Sequence, residues 1–230
     1  MQNDTSESQS RAGVSRAAQA AARRTARQRQ SAEDEIERLL EVTLELIEKS
    51  APAMPSVSAI VAAAGISNQT LYRSFPSKDD LILAVLEKGV HRVADYISAR
   101  MTGVDDPHEQ ILVWTRGVLR QVSHSDAAQT SRSVLEHLEK AGSSSQEDGG
   151  QDELLKPVTS LLAAPLQALG SDPVLDGACI SDLVLGAMRR HLWKSTAPSP
   201  DEIEWIGRFV LGGLNANNRD GWRDVRPVDK

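Results

Sequence analysis

Apolar side chains recur at helical spacing along most of the 230-residue chain, and no segment shows the sustained alternation that predicts a β-strand. An amphipathic stripe at 33–49 predicts a first helix. A long helix is predicted to start near Ser77, and five further helices follow it. The predicted ranges are 77–101, 107–123, 127–140, 152–169 with a kink at Pro165, 173–194 and 201–214. The pattern therefore predicts an all-α protein.

Between the first helix and the long one, residues 55–81 predict two short helices joined by a tight turn. Pro55 ends what precedes it, and Ser56 is a suitable N-cap for the first short helix. Gly65 lies where the chain must reverse, and Ser67 is a suitable N-cap for the second. Such a unit is typical of helix-turn-helix proteins, whose second helix enters the DNA major groove.

The second short helix opens with polar residues at 68–70 that can donate and accept hydrogen bonds at base edges. Leu71 and Phe75 are expected to face the protein, which leaves Tyr72 and Arg73 outside, within reach of phosphates. A surface helical hairpin without a DNA role is the alternative that the turn pattern alone leaves open. The predicted DNA contacts are Ser56, Ser67, Asn68, Gln69, Thr70, Tyr72, Arg73 and Lys78.

The same stretch resembles the TetR family of transcriptional regulators, and the close match covers about 34–86. The family's pattern is an Ile-(Ala/Val)-x-x-Ala-Gly-(Val/Ile)-Ser turn, a short helix ending in Tyr-x-x-Phe, and then Lys-x-x-Leu. In that register the chain has Ile60, Val61, Ala64, Gly65, Ile66, Ser67, Leu71, Tyr72, Phe75, Lys78 and Leu81. The segment 50–56, which leads into the turn unit, departs from the family's pattern, because it lacks the Gly-Tyr or Gly-Phe and the Thr common there.

The resemblance implies a three-helix DNA-binding domain followed by a helical domain that dimerises and binds a small molecule. We accordingly predict a flexible Arg-rich arm at 1–31, the helix-turn-helix domain at 32–80, the regulatory domain at 81–214 and a tail at 215–230. In the family, the last two helices form a four-helix interface between subunits. The candidate interface residues are Leu183, Ala187, Ile206 and Val210, while Trp205 and Phe209 lie off the main stripe of the last helix.

The same resemblance implies an effector pocket between the middle helices. Its candidate residues are amphipathic or polar groups beside apolar stripes, although each has an ordinary core or surface position as its alternative. They are Trp114, Arg120, His124 and His137. Because aromatic residues make up only 3% of the chain, an aliphatic cavity is favoured over an aromatic cage.

The formal net charge of −6 argues at first against a polyanionic partner. The excess of acid lies beyond residue 103, however, and the residues before it are balanced. Within 1–31 there are six arginines, with no acid between Glu7 and Glu33. The sequence leaves open whether this arm is a solvated tail or a DNA contact, since local charge decides nucleic-acid binding.

No motif indicates an enzyme. The five histidines have no metal-ligand spacing, and neither a nucleophile elbow nor a phosphate-binding glycine loop is present, so no cofactor or metal is expected. A single cysteine, Cys179, excludes an intramolecular disulfide. Together with the absence of a long apolar run or a secretory segment, it favours the cytoplasm and no membrane partner.

We therefore expect a ligand-responsive transcriptional regulator that binds a pseudo-palindromic operator as a homodimer, with repression as the default. The alternative is a helical interaction or sensor protein that retains the fold without operator binding. Activation, the effector and the operator sequence all stay open.

Overall fold

The computed structural model describes residues 16–123, 125–140 and 150–219, and every regular element in these ranges is a helix. The all-α prediction is confirmed. The amino-terminal helices are α1 (Arg16–Ser50), α2 (Val57–Ala64), α3 (Asn68–Ser74) and α4 (Lys78–Met101). Those that follow are α5 (Pro107–Arg120), α6 (Ser125–Lys140), α7 (Gly150–Thr159), a 3-10 turn (Ser160–Leu162), α8 (Ala163–Ala168), α9 (Leu175–Lys194) and α10 (Pro200–Arg219).

Helix α1 begins well before the predicted start at residue 33, so that prediction is wrong. The segment 16–31 lacks large apolar residues but is rich in alanine, the residue with the highest helix propensity. Side-chain bonds one turn apart join it to the amphipathic part: Arg29 Nε donates to Glu33 Oε1 at 2.9 Å, and Gln30 Nε2 to Asp34 Oδ1 at 2.9 Å. The described part of the predicted arm is therefore a helix, and its first 15 residues lie outside the described residues.

One hydrophobic cluster holds the first four helices together. It combines Leu39 of α1, Ile60 and Ala64 of α2, Leu71 of α3 and Leu81 of α4, all buried. A neighbouring cluster joins α1 and α4 to α6 through Ile47, Ile82, Val85 and Val134. Helix α6 thus packs directly on the helices that support the turn unit.

The larger core lies among α4, α5 and the helices from α7 to α10, around the fully buried Trp114. At Gly117, an added Cβ would lie 2.6 Å from Cγ1 of Ile97, so only glycine permits this approach of α5 to α4. The helix predicted over 152–169 is divided by the 3-10 turn, and Pro165 lies in the first turn of α8, where its missing N–H is tolerated.

The described part of α10 extends to Arg219, so the tail predicted at 215–230 begins in a helix. Residues 220–230 lie outside the described residues.

Candidate nucleic-acid interface

The turn between α2 and α3 is built from the caps and the glycine that the sequence predicts. Ser56 Oγ accepts from the Ala59 N–H at 3.2 Å and caps α2. Gly65 has φ 69° and ψ 32°, the left-handed conformation that favours glycine at a helix C-terminus. Ser67 Oγ accepts from the Thr70 N–H at 3.1 Å and caps α3. Both short helices are thus fixed by local chemistry.

Helix α3 buries one side and exposes the other. Leu71 is fully buried, and Phe75 packs partly buried against the same cluster. Asn68, Gln69 and Arg73 are exposed, as is Tyr72 with 48% of its surface accessible. The predicted inward and outward faces of this helix are confirmed.

The start of α4 keeps its acidic side chains engaged within the protein. Asp80 and Ser77 form a reciprocal capping box, in which the Ser77 N–H donates to Asp80 Oδ2 at 2.9 Å and the Asp80 N–H to Ser77 Oγ at 3.1 Å. Asp79 Oδ1 lies 2.8 Å from His137 Nε2 on α6. In the part of the chain that the structure describes, neither Arg73 nor Lys78 has an ion-pair partner. The cations beside α3 are therefore available to an external anion.

Comparisons with known proteins agree with this geometry. The sequence profile described as bacterial regulatory proteins, tetR family, matches residues 39–85. An uncharacterized HTH-type transcriptional regulator of Mycobacterium tuberculosis H37Rv is 30% identical over 179 residues, covering 76% of this chain and 83% of that protein. The chain belongs to the TetR family of transcriptional regulators. It is therefore a helix-turn-helix DNA-binding protein and not an enzyme.

Solved structures share the fold of this TetR-family chain. The fatty acid degradation regulator FadR from Bacillus halodurans has a TM-score of 0.58 at 19% identity, and the match covers 77% of this chain and 98% of that one. A TetR transcription regulator from Haloarcula marismortui also has a TM-score of 0.58, at 18% identity, with 80% and 98% of the two chains covered. At such identities the likeness shows the fold alone.

Of the regulator's predicted effector-pocket residues, the three that the structure describes do not come together. The indole of Trp114 is buried in the core, where Nε1 donates to the Val158 carbonyl at 2.8 Å. His137 contacts Asp79 instead of a cavity. Arg120 lines an open surface groove between α4, α5 and the start of α10, and His124 lies outside the described residues. Sequence spacing could not place these side chains, because each depends on contacts between distant helices.

Three of the regulator's four predicted interface residues lie inside the chain itself. Ala187, Ile206 and Val210 are buried in the chain's own core, each with 5% or less of its surface accessible. Of the four, only Leu183 is exposed. Trp205 and Phe209 form the exposed apolar side of α10, each 57% accessible, and their rings stack at 5.4 Å. The signal was present in the sequence as the second apolar side of this helix.

A polar cluster fixes the start of α10 to the end of α9. Buried His191 lies between Thr196 Oγ1, 2.8 Å from Nδ1, and Glu202 Oε1, 3.1 Å from Nε2. Arg190 donates to the same Glu202 oxygen at 2.6 Å. Burial by itself would raise the pKa of Glu202, but the hydrogen bonds and positive charges of His191 and Arg190 lower it below its ordinary value. The cluster therefore favours the ionised carboxylate and fixes the angle between the two helices.

Two further observations concern the described residues only. None of their helices is long and apolar enough to cross a membrane. No group of three or more His, Cys, Asp or Glu side chains among them is placed to hold a metal ion.

Proposed function

We propose that this TetR-family chain is a dimeric, ligand-responsive repressor that acts in the cytoplasm on a pseudo-palindromic operator. The observation that carries the proposal is the polar outer side of α3, held in place by the buried Leu71 and by the Ser67 cap. A buried anchor and a capped start give a short helix one fixed orientation. Its exposed side chains are therefore suited to contact DNA.

The exposed residues divide by chemistry into base contacts and phosphate contacts. The amides of Asn68 and Gln69 can form paired hydrogen bonds with adenine in the major groove. Tyr72, Arg73 and Lys78 have the reach and the donors for phosphate oxygens, which position the helix without specifying sequence. The hydroxyls of Ser56, Ser67 and Thr70 are engaged at the caps, so we assign them to positioning, with phosphate contact at the helix starts.

Dimerisation follows from the size of α3 and from the exposed side of the last two helices. One seven-residue helix contacts few base pairs, and a second copy about 34 Å away can contact the next major groove. Leu183, Trp205 and Phe209 are large apolar side chains left exposed on α9 and α10. Exposed aromatic residues of this kind are enriched in interfaces between proteins. We therefore assign the interface to these three residues.

Ligand response is proposed to act through α4, which begins at the DNA-binding unit and ends in the larger core. Helix α6 contacts the start of α4 through His137 and Asp79, so a displacement of α6 would reach the residue next to Lys78. Solved structures of the same fold hold resorcinol, in RolR, and stearoyl-CoA, in FadR from Bacillus subtilis. They support a small-molecule effector as a class and do not indicate which one.

Fluorescence anisotropy with labelled duplex DNA from upstream of the protein's own coding region tests the proposal. We expect salt-dependent binding with two protomers per duplex, and a loss of about tenfold in affinity for Tyr72→Ala and for Lys78→Ala. Asp201→Ala, at an exposed position at the start of α10, is the control and should bind like the wild type. Absence of salt-dependent binding, or equal affinity in all four proteins, would favour the alternative of an interaction protein that retains the fold.

Whether the protein represses or activates transcription needs a separate measurement. A reporter gene behind the same upstream DNA should be expressed less in the presence of the wild-type protein than in the presence of Tyr72→Ala. Higher expression with the wild type would identify an activator.

A further inference from the structure

Three arginines share one face of the amino-terminal part of α1. Arg23 and Arg27 are four residues apart, and Arg24 is three residues from Arg27, spacings that place side chains on the same side of a helix. All three are exposed, and together they line a shallow concavity on the helix surface with Ala20, Gln28 and Ser31. We call Arg23, Arg24 and Arg27 the arginine face.

The arginine face has no carboxylate partner within the described residues, whereas the neighbouring Arg29 has one. Arg29 Nε contacts Glu33 Oε1 at 2.9 Å from a different side of the helix. No acidic residue occurs between Glu7 and Glu33, so none lies one turn away from Arg23, Arg24 or Arg27 along the helix. Like charges three and four residues apart destabilise a helix, and an anion bound across them removes that repulsion.

The helix that carries the arginine face belongs to the DNA-binding unit. Farther along α1, Leu39 packs with α2, α3 and α4, and Glu37 and Glu41 contact Lys88 of α4. The segment 16–31 continues that helix for about 24 Å at 1.5 Å per residue, which exceeds the width of a DNA groove. It therefore extends the unit's surface beyond what the short α3 can cover.

We propose that the arginine face binds the phosphate backbone of duplex DNA outside the contacts made by α3. This rests on the DNA binding proposed above. Guanidinium groups form paired hydrogen bonds with phosphate oxygens, and their positive charge releases counterions from the duplex. The arginine face adds affinity for any duplex sequence and strengthens the dependence of binding on salt.

The composition of the segment favours DNA over the surface of a membrane. A helix that lies on a membrane needs large apolar residues opposite its basic face, and the apolar residues of 16–31 are all alanine. Duplex RNA carries the same phosphate groups, so the experiment must distinguish binding to RNA from binding to DNA.

The test uses the full chain and a mixed-sequence 30-base-pair DNA duplex at a series of salt concentrations. The triple variant R23Q/R24Q/R27Q should lower the magnitude of the slope of log K against log salt by about 2.7 per protomer, at 0.9 for each lost phosphate contact. The variant R23K/R24K/R27K keeps the charge and should retain the slope. Glutamine and lysine have helix propensities close to that of arginine, and circular dichroism of each variant serves to check that the helix is intact.

Single substitutions locate the effect on the helix. Arg27→Gln should lower the slope by about 0.9, and Arg29→Gln, which removes the same charge from the paired position, should leave it unchanged. Equal effects at these two positions would show that net charge alone is responsible and would overturn the proposal.

The remaining outcomes are also decisive. An unchanged slope in the triple glutamine variant, or failure of the wild type to bind the mixed duplex at low salt, overturns the proposal. Tighter binding to a matched RNA duplex would replace DNA with RNA. Because the mixed duplex needs no operator, these results are independent of whether the upstream DNA is bound specifically.

Discussion

The outer side of α3 and the outer side of α10 are both exposed, but they differ in chemistry. Helix α3 exposes amides, a phenol and a guanidinium around one buried leucine, Leu71. Helix α10 exposes Trp205 and Phe209 while Ile206 and Val210 are buried within the chain. The difference indicates a polar, charged partner for the first surface and an apolar one for the second. Substitutions of neighbouring residues can therefore separate folding from binding in each helix.

The largest effect on stability is expected at the buried side of α3. Leu71→Ala removes a fully buried side chain between α1, α2 and α4, and should lower the free energy of unfolding by about 2–5 kcal/mol. Tyr72→Ala, one residue away and exposed, should change it by less than about 0.5 kcal/mol. Urea denaturation followed by circular dichroism measures both. Equal losses would contradict the assignment of inner and outer sides.

The next effect concerns association through α10. Trp205→Ala and Phe209→Ala should each raise the dissociation constant of the dimer by about 30-fold, since interface aromatics commonly contribute about 2 kcal/mol. The exposed Arg208 lies between them in sequence and is the control, because Arg208→Ala removes only a weak pair with Glu204 at 4.0 Å. Sedimentation equilibrium gives the constants. A shift with Arg208→Ala as large as with Trp205→Ala would contradict the assignment of the binding energy to the two aromatic side chains.

Ser67 separates stability from binding within α3 itself. Ser67→Ala removes the cap bond to the Thr70 N–H and should cost about 1 kcal/mol of the free energy of unfolding. Ser67→Asp keeps an N-cap acceptor and should retain stability, but its negative charge would repel phosphates and weaken DNA binding. Urea denaturation and anisotropy are the measurements. Wild-type affinity for DNA in Ser67→Asp would show that the start of α3 does not approach the backbone.

Two glycines with open space around them test the turn. Gly65→Ala should lower the free energy of unfolding by about 1–2 kcal/mol, because alanine is strained at a φ of 69°. No atom lies within 4 Å of the added Cβ, so no steric clash adds to this effect. At Gly89, inside α4 and equally open, alanine should instead stabilise the protein by about 1 kcal/mol. Thermal denaturation of the two variants shows whether each substitution lowers or raises the stability of the protein. The same sign for both would contradict the left-handed turn.

The smallest effect is expected at Glu202, where the apolar side of α10 begins. The lowered pKa of the carboxyl means that its contribution to stability is present above its ordinary value of 4.5 and is lost as the pH falls through the lower folded-state value. Glu202→Gln should therefore be less stable than the wild type near neutral pH, with a difference that shrinks as the pH is lowered below the ordinary value of 4.5. Urea denaturation of both proteins, near neutral pH and again at acidic pH, measures the difference in the free energy of unfolding. A difference that does not change with pH would show that the charge of Glu202 is not responsible.

Local chemistry made the turn unit predictable. Ser56, Gly65, Ser67 and Leu71 have roles set by caps, backbone conformation and helical spacing, and the structure confirms these roles. The register of the whole unit follows from them.

The less predictable features depend on contacts between distant helices. Spacing showed that helix α10 is apolar on two sides, but it could not tell which side the chain covers itself, and so which residues remain exposed for a partner: Ile206 is buried and Trp205 is exposed. The pair of His137 and Asp79 joins residues 58 positions apart, and the burial of Trp114 depends on the carbonyl of Val158. The early start of α1 was missed for a different reason, because alanine-rich helices carry no apolar stripe.

The close approach at Gly117 has a consequence for protein engineering. Because Gly117 has no side chain, Ile97 of α4 packs directly against the backbone of α5, and the two residues form one complementary surface. A hybrid regulator that takes its amino-terminal helices from one parent and its remaining helices from another would divide this surface if the junction fell between Ile97 and Gly117, for example in the loop that follows Met101. A junction before α4 or after α5 keeps both residues from the same parent, so the crossover point for such hybrids lies on either side of this helix pair and not between the two helices.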